Sequence, residues 1–294
     1  MKAVIHPISV SLEPPDAIAA LKLRAAIDEM CAKDATLGVA TRPVNEIVLM
    51  AVSELRLEIA VDILERGKGL DFTTGAPQVA YRESITRKVA WDYVHKKQTG
   101  GKGEYAKIKI RFEPGEPGSG LRFANEAGDS VPAAFVPAIE KGLAGACEVG
   151  PVAGFPMDLA CALIDGGYHD VDSNERTFEI AGRACLREAL PKAGPRILEP
   201  MMLVIVLTPP VHIGDVIGDL NSRRGQVQEM DDRYGTLIVT ALVPLSNLFG
   251  YVSTLKSMTR GRAESMMAFE RYEQVPPYRG PDDDNFPPAI GMRA

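Results

Sequence analysis

Two periods alternate along this 294-residue chain, one of two residues and one of three to four, and together they predict a mixture of strands and helices. Ile8-Ser9-Val10-Ser11-Leu12 alternates as a strand. Pro15 and Asp16 then open a helix whose apolar side is Ile18, Leu21, Leu23, Ala25, Ile27 and Met30. Val39 to Val52 holds a hairpin around Arg42-Pro43-Val44-Asn45-Glu46, and Ser53 caps a second helix, Leu55 to Glu65, ended near Gly67. Residues 7–73 thus read βαββαβ, the split ferredoxin-like order. From Gln78 to about Lys192 the pattern predicts strands at 78–85, 87–97, 104–112 and 120–127. A helix carrying Ala134, Val136, Ile139 and Leu143 follows, then a strand from Met157 to Ile164. A last helix, Glu175 to Leu190, has Phe178, Ala181, Cys185 and Ala189 on one side. Pro191, Gly194, Pro195 and Pro200 predict a hinge or short linker. Glu199 to Val275 repeats βαββαβ, with strands at 201–208, 226–231, 236–243 and 264–273 and helices over Ile213–Ser222 and Leu248–Met258. From Pro276 the composition turns to Pro, Gly and Asp, and such a tail is expected to be disordered.

The strands at 87–97 and 104–112 flank Lys97-Gln98-Thr99-Gly100-Gly101-Lys102-Gly103, a tight glycine-rich connection. Val89, Trp91 and Tyr93 share a face before the glycines. Tyr105, Lys107 and Lys109 share one after them, with Ala106, Ile108 and Ile110 opposite. Arg82 to Arg111 holds nine Lys/Arg against three acids, about +6, in a chain of net charge −6. A basic hairpin on an acidic protein has two readings: a solvated charged face, or an element aimed at phosphate. No G-x-x-x-x-G-K-S/T run exists in the chain, and the glycine tip opens no helix, so nucleotide phosphate held in a Walker loop is excluded and a nucleic-acid backbone is the better phosphate partner.

Composition narrows the class. With 46% hydrophobic and 24% charged residues the chain reads as globular. Its longest apolar run, Met201 to Leu207, falls far short of the ~20 residues of a membrane span. No apolar run suits a signal peptide near Met1, and the four cysteines, 31, 147, 161 and 185, are too scattered for a disulfide framework or a metal pair. Reduced thiols in a cytoplasmic protein without a membrane partner are the expectation.

A second loop, Tyr168-His169-Asp170-Val171-Asp172-Ser173-Asn174, carries the other chemistry. A histidine between carboxylates suggests a general base or a metal ligand. No second histidine lies at helical ligand spacing, and no motif places a nucleophile. The other readings are a turn in which Asp170, Asp172 and Ser173 bond their own backbone or cap the next helix, and a recognition loop. In the last unit, Arg223, Arg224, Lys256, Arg260 and Arg262 lie near helix C-termini, where cations complement the helix dipole. Trp91 reads as packing in the sheet.

The stretch His95 to Lys107 resembles the start of domain IV of bacterial elongation factor G, the translocase GTPase. Gly75-Ala76-Pro77-Gln78-Val79-Ala80-Tyr81-Arg82-Glu83 resembles the family's junction between domains III and IV. Further matches are Phe112-Glu113-Pro114, Gly166 to Ser173, Gly214 to Asn221 and Phe249-Gly250-Tyr251. They are collinear and cover residues 4 to 277, with no counterpart of the family's G domain or domain II. The resemblance implies an α+β chain with two ferredoxin-like βαββαβ units flanking a ribosomal protein S5 domain 2-like α/β unit: domain III over 1–75, IV over 76–195, V over 196–276, and the tail over 277–294. It implies ribosome binding without GTPase activity, with GTP and Mg needed only by the full-length family. The domain IV tip would enter the decoding site as a mimic of the tRNA anticodon arm. Lys96, Lys97, Gln98, Thr99, Gly100, Gly101 and Lys102 would line one loop and Tyr168, His169 and Asp170 the other, meeting tRNA and mRNA. Arg223, Arg224 and Arg260 would meet large-subunit rRNA. A separate GTPase-domain chain is a further implied partner. The alternatives are a stand-alone ribosome-binding regulator and an enzyme using His169, Asp170 and Asp172. Two departures stand out. Ala51-Val52-Ser53-Glu54-Leu55-Arg56-Leu57 replaces the family's Gly-Met-Gly-Glu-Leu-His-Leu, and Arg262-Ala263-Glu264-Ser265 replaces a glycine and an aromatic.

Overall fold

The computed structural model describes residues 4–41, 46–99, 102–233 and 235–276. Residues 42–45, within the hairpin connection expected around Arg42–Glu46, the glycines Gly100 and Gly101, and the tail expected to be disordered lie outside them. The chain divides into two bodies: residues up to 80 together with those from 199 onward, and residues 81–198.

In the first body, β1 (Ile8–Glu13), α1 (Ala17–Lys33), β2 (Leu37–Thr41), β3 (Ile47–Ala51), α2 (Glu54–Asp62) and β4 (Thr73–Thr74) follow one another, with a π turn at Ile63–Gly67 extending α2. The sheet order is β2-β3-β1-β4, the ferredoxin-like arrangement, and β5 (Gln78–Val79) adds to β1. Asp16 caps α1 by accepting the Ala19 N–H at 2.7 Å, and Ser53 caps α2, both as their sequence positions predict. The apolar side of α1 differs from the expectation. Leu23, Ala26 and Ile27 are buried, whereas Ile18 and Leu21 are 67% and 73% exposed. Arg56 ties α2 to the turn after α1 by pairing with Asp34 and donating to Thr36 at 3.2 Å.

The same body holds a second ferredoxin-like sheet, built from β11 (Pro195–Thr208), α5 (Ile213–Ser222), β12 (Gln226–Arg233), β13 (Thr236–Pro244), α6 (Tyr251–Met258) and β14 (Glu264–Gln274) in the order β12-β13-β11-β14. Its core and that of the first sheet form one cluster, from Ile8 and Leu49 to Val204 and Tyr251.

The second body contains β6 (Arg82–Ile85), β7 (Val89–Thr99), β8 (Lys102–Pro114), β9 (Leu121–Asn125), α3 (Val136–Cys147), β10 (Leu159–Gly167) and α4 (Glu175–Ala193). The sheet order is β7-β8-β10-β9, with β9 and β10 parallel and the other pairs antiparallel. Ala106, Ile108, Ile110 and Phe112 of β8 join Phe178, Ala181 and Cys185 of α4 in a separate core. The expected linker at 191–200 is instead continuous structure. α4 runs through Pro191 to Gly194, which closes it at φ 67°, and Pro195–Leu198 pairs with β6 before Met201–Thr208 pairs with β13. Pro200 falls between these two pairings. The predicted strand at 78–85 is likewise two strands, β5 on β1 and β6 on β11.

Candidate nucleic-acid interface

The basic hairpin forms as its alternation requires. Val89 faces Phe112 at its base and Thr99 faces Lys102 at its far end, in unbroken register. Because directly opposed residues share a face, Trp91, Tyr93 and His95 lie on the helix side with Ile110, Ile108 and Ala106. Lys96, Tyr105, Lys107, Lys109 and Arg111 lie on the open side. Trp91 packs as expected: its Nε1 donates to Glu188 at 3.2 Å, and the Lys192 ammonium sits 3.9 Å above its ring.

The loop after β10 is fastened to this hairpin through Tyr105. The Tyr105 N–H donates to the Asp172 carbonyl at 2.9 Å, and the Ser173 hydroxyl donates to the Tyr105 carbonyl at 2.6 Å. Ser173 Oγ also accepts the His169 N–H at 2.9 Å, while the Ser173 N–H donates to the His169 carbonyl at 3.0 Å. The His169 ring then lies on the Tyr105 ring, centroids 3.9 Å apart and 12° from parallel. The loop comes close to the hairpin here: a Cβ on Gly103 would meet the Asp172 carboxylate, which would have to move aside. Asn174 ends the loop by accepting the Thr177 N–H at 3.0 Å and starting α4. The loop therefore presents Tyr168, His169, Asp170 and Val171 outward, all exposed, on a base held at both backbone and ring.

This arrangement bears on the catalytic reading. Asp172 places its carbonyl on Tyr105 and its carboxylate beside Gly103, while one face of the His169 ring is covered by Tyr105. Among the described residues no group of three or more His, Cys, Asp or Glu side chains gathers to hold a metal ion.

Ion pairing divides the hairpin's positive charge. At its base, Lys88 pairs with Glu113 at 2.7 Å, Lys109 with Asp92 at 3.2 Å, and Arg111 with Glu113 and Glu126 at 2.9 Å each. The Lys88 ammonium holds the Glu113 carboxyl below its ordinary range. Toward the tip, Lys97 stands opposite Glu104, but that carboxylate is met by His95 Nε2 at 3.3 Å. Among the described residues no carboxylate comes within ion-pair distance of Lys96, Lys97 or Lys107. Lys96, Lys97 and Gln98 are exposed, and Lys107 is half-buried. The net charge open to a partner is thus gathered toward the tip. Thr99 and Lys102 enter the ladder through their backbones.

The three arginines of the β12-β13-β11-β14 unit part company. Arg223 donates to Asp219 at 2.8 Å and to the Asn247 carbonyl at 2.7 Å, with its guanidinium 5.1 Å from the Tyr251 ring centre. Arg224 forms a two-pronged pair with Glu199, whose side chain is 2% exposed. Both guanidinium groups are engaged inside the body, whereas Arg260 is exposed.

Two buried carboxylates went unsuspected in the sequence. Glu83 accepts the N–H groups of Val152, Ala153 and Phe155 at 2.8–3.1 Å. Asp158 pairs with Arg82 and accepts from Gly118 and Gly120 at 2.8 and 2.7 Å. They fix the loops at the base of the second body. The one sequence signal was Glu83, at the end of the Gly75–Glu83 run.

The chain is similar to known proteins. Residues 77–194 match the family model described as elongation factor G, domain IV, and residues 196–281 match the one described as elongation factor G C-terminus. An elongation factor G from Granulibacter bethesdensis is 47% identical over 272 residues, 92% of this chain and 39% of that protein. A solved structure from Thermus thermophilus aligns at 31% identity with a TM-score of 0.68, covering 94% of this chain and 42% of that one. The chain spans about two fifths of the length of these relatives.

Proposed function

Because this chain belongs to the elongation factor G family, we propose that it is the ribosome-binding portion of a translocase-like translation factor. Residues 1–75, 76–195 and 196–276 act as domains III, IV and V. The observation that carries the reading is the Tyr105-centred fastening of the 168–174 loop to a hairpin whose lysines without a carboxylate partner among the described residues lie toward the same end. A pre-ordered end of this kind meets RNA without first losing loop entropy. Lys96, Lys97, Lys102 and Lys107 oppose phosphates. Gln98, Thr99, Gly100 and Gly101 join them in contacting RNA. Tyr168, the outer face of His169 and Asp170 contact bases and riboses of tRNA and mRNA at the decoding site, as RNA shape and single-stranded bases are commonly read. Arg260, with its neighbours Lys256 and Arg262, is the part of the β12-β13-β11-β14 unit left to face rRNA. The residues present do not fit GTP and Mg, because no phosphate-binding loop sequence occurs in the chain. GTP hydrolysis is therefore a property of chain beyond this one, in the same or a separate polypeptide.

The test is co-sedimentation with vacant ribosomes at two salt concentrations. The reading expects salt-sensitive binding that weakens in His169→Ala and in Lys96→Glu. Binding unaffected by either variant would remove the tip as the contact.

A further inference from the structure

We propose that the free edge of β7 pairs with the same edge of a second copy, joining two chains into a two-fold dimer. β7 is the outermost strand of the β7-β8-β10-β9 sheet. Among the described residues its only backbone ladder is the one to β8. Edges are ordinarily kept short, bulged or interrupted by proline, because a row of unmade N–H and C=O groups is a template for another strand. Val89–Thr99 runs to 11 residues, about twice the common length of a strand. Its register is unbroken and it holds no proline. Halfway along stands Val94, 48% exposed.

The sequence of the strand selects its mate. In an antiparallel pairing centred on Val94, every residue of β7 has one opposite, from Val89 against Thr99 inward. On the open face Val94 meets Val94 of the second copy, and Asp92 meets Lys96 of the second copy. On the helix side Lys97 comes to Trp91 of the second copy, a residue whose Nε1 bonds the exposed Glu188 at 3.2 Å. Of the self-pairings centred on residues 92 to 96, only this one sets an acid against a base. Lys96 and Lys97, which no carboxylate reaches among the described residues of one chain, each gain one. Asp92 has room for it, since its side chain is 51% exposed beside Lys109. Opposite charges across two strands favour this register, and like charges disfavour those centred on Asp92 or Lys96. α4 lies over β7 and β8. Its half-buried Ile180 and Ala184 precede Glu188 at spacing four, so they line the side of α4 above the joined edge.

The paired form holds Lys96 and Lys97 away from RNA phosphate, a consequence that rests on the ribosome-binding reading. The experiment needs no ribosomes, so its failure leaves that reading standing. Sedimentation equilibrium of the purified chain is expected to show a concentration-dependent dimer. Asp92→Lys and Lys96→Asp each bring like charges together on both sides of the axis, and each should raise the dissociation constant about tenfold or more. Mixed in equal amounts, the two variants present lysines to aspartates at both positions. They should form a heterodimer as tight as the parent dimer, which also shows that both fold. A parent chain that stays monomeric overturns the proposal. So does a dimer indifferent to either substitution, or a mixture no tighter than its separate components.

Discussion

The His169 ring lies flat on Tyr105, 3.9 Å between centroids, and Ser173 joins the two residues by accepting from one backbone and donating to the other. Ser173→Ala deletes both bonds at once. It should cost about 1–2 kcal/mol, from two hydrogen bonds of ordinary net worth. Hydrogen exchange at the Tyr105 and His169 amides, compared between the two proteins, reads the loosening directly, and ribosome affinity should fall with it. Full protection in the variant would mean that the ring stack and the two backbone bonds, Tyr105 N–H to Asp172 and Ser173 N–H to His169, hold the loop without the hydroxyl.

Charge reversal should depend on position along the hairpin. Lys96→Glu and Lys97→Glu each change a cation without a carboxylate partner among the described residues. Both should reduce ribosome affinity and flatten its salt dependence by roughly one unit of logarithmic slope for each phosphate no longer neutralised. Lys88→Glu and Lys109→Glu act where the charge is already neutralised by Glu113 and Asp92, so the salt slope should hardly move. Equal slopes for all four variants would refute the division.

Two glycines of α3 should respond with opposite signs to the same substitution. A Cβ on Gly142 would fall on the Glu179 carbonyl of α4, while one on Gly145 meets nothing closer than the Arg183 guanidinium at 3.9 Å. Gly142→Ala should destabilise by about 1–3 kcal/mol through overpacking. Gly145→Ala should stabilise by up to ~1 kcal/mol through helix propensity. Urea midpoints of the two variants settle the signs.

Removing Arg224 strands Glu199. Burial pushes the Glu199 carboxyl above its ordinary value, and the guanidinium pulls it back. Arg224→Ala should cost about 3–5 kcal/mol near neutral pH, the usual loss when a buried pair is broken from one side. In the variant the folded carboxyl rises further, so it favours folding only while protonated. The penalty should therefore shrink as pH falls below neutrality toward 4.5, the carboxyl's ordinary value. Adding Glu199→Gln should recover part of the loss. A penalty constant between pH 7 and 5 would contradict the account.

Burial pushes the Cys147 and Cys185 thiols up to about 12 and raises Cys161 as well. At pH 8 a thiol reagent should leave all three unmodified in the folded protein and reach them in urea. A group whose folded pKa is raised contributes its stability below the unfolded value near 9, and loses it as pH climbs toward 12. Unfolding midpoints should therefore drop across that alkaline range, by less in Cys147→Ser, where one thiol is gone.

The strands and both βαββαβ orders were legible because each buried face repeats with its own local period. Ile8, Val10 and Leu12 alternate inward as written. α1 was legible only in part. Its apolar residues cover more than one side, and the sheet selects Leu23 and Ile27 while leaving Ile18 and Leu21 outside. Arg223 and Arg224 looked like solvent-facing cations because their partners Glu199, Asn247 and Tyr251 are far from them in sequence. The fastening of the tip was equally hidden. Tyr105 and Ser173 are separated by 68 positions, and no periodicity announces a serine that bonds across that distance. What could be read was the presence of two loops; what could not was the clasp between them.

The pairing of Arg82–Ile85 with Pro195–Leu198 has an evolutionary consequence. The segment 81–198 begins and ends on neighbouring strands, roughly 5 Å apart as antiparallel partners are, and has a core of its own. A segment with such ends is a cassette. It can be excised and the gap closed by a short turn, or grafted into another sheet wherever two adjacent strands would otherwise meet in a hairpin. Change within this segment and change in the rest of the chain are thereby uncoupled, so a lineage can alter one while inheriting the other intact.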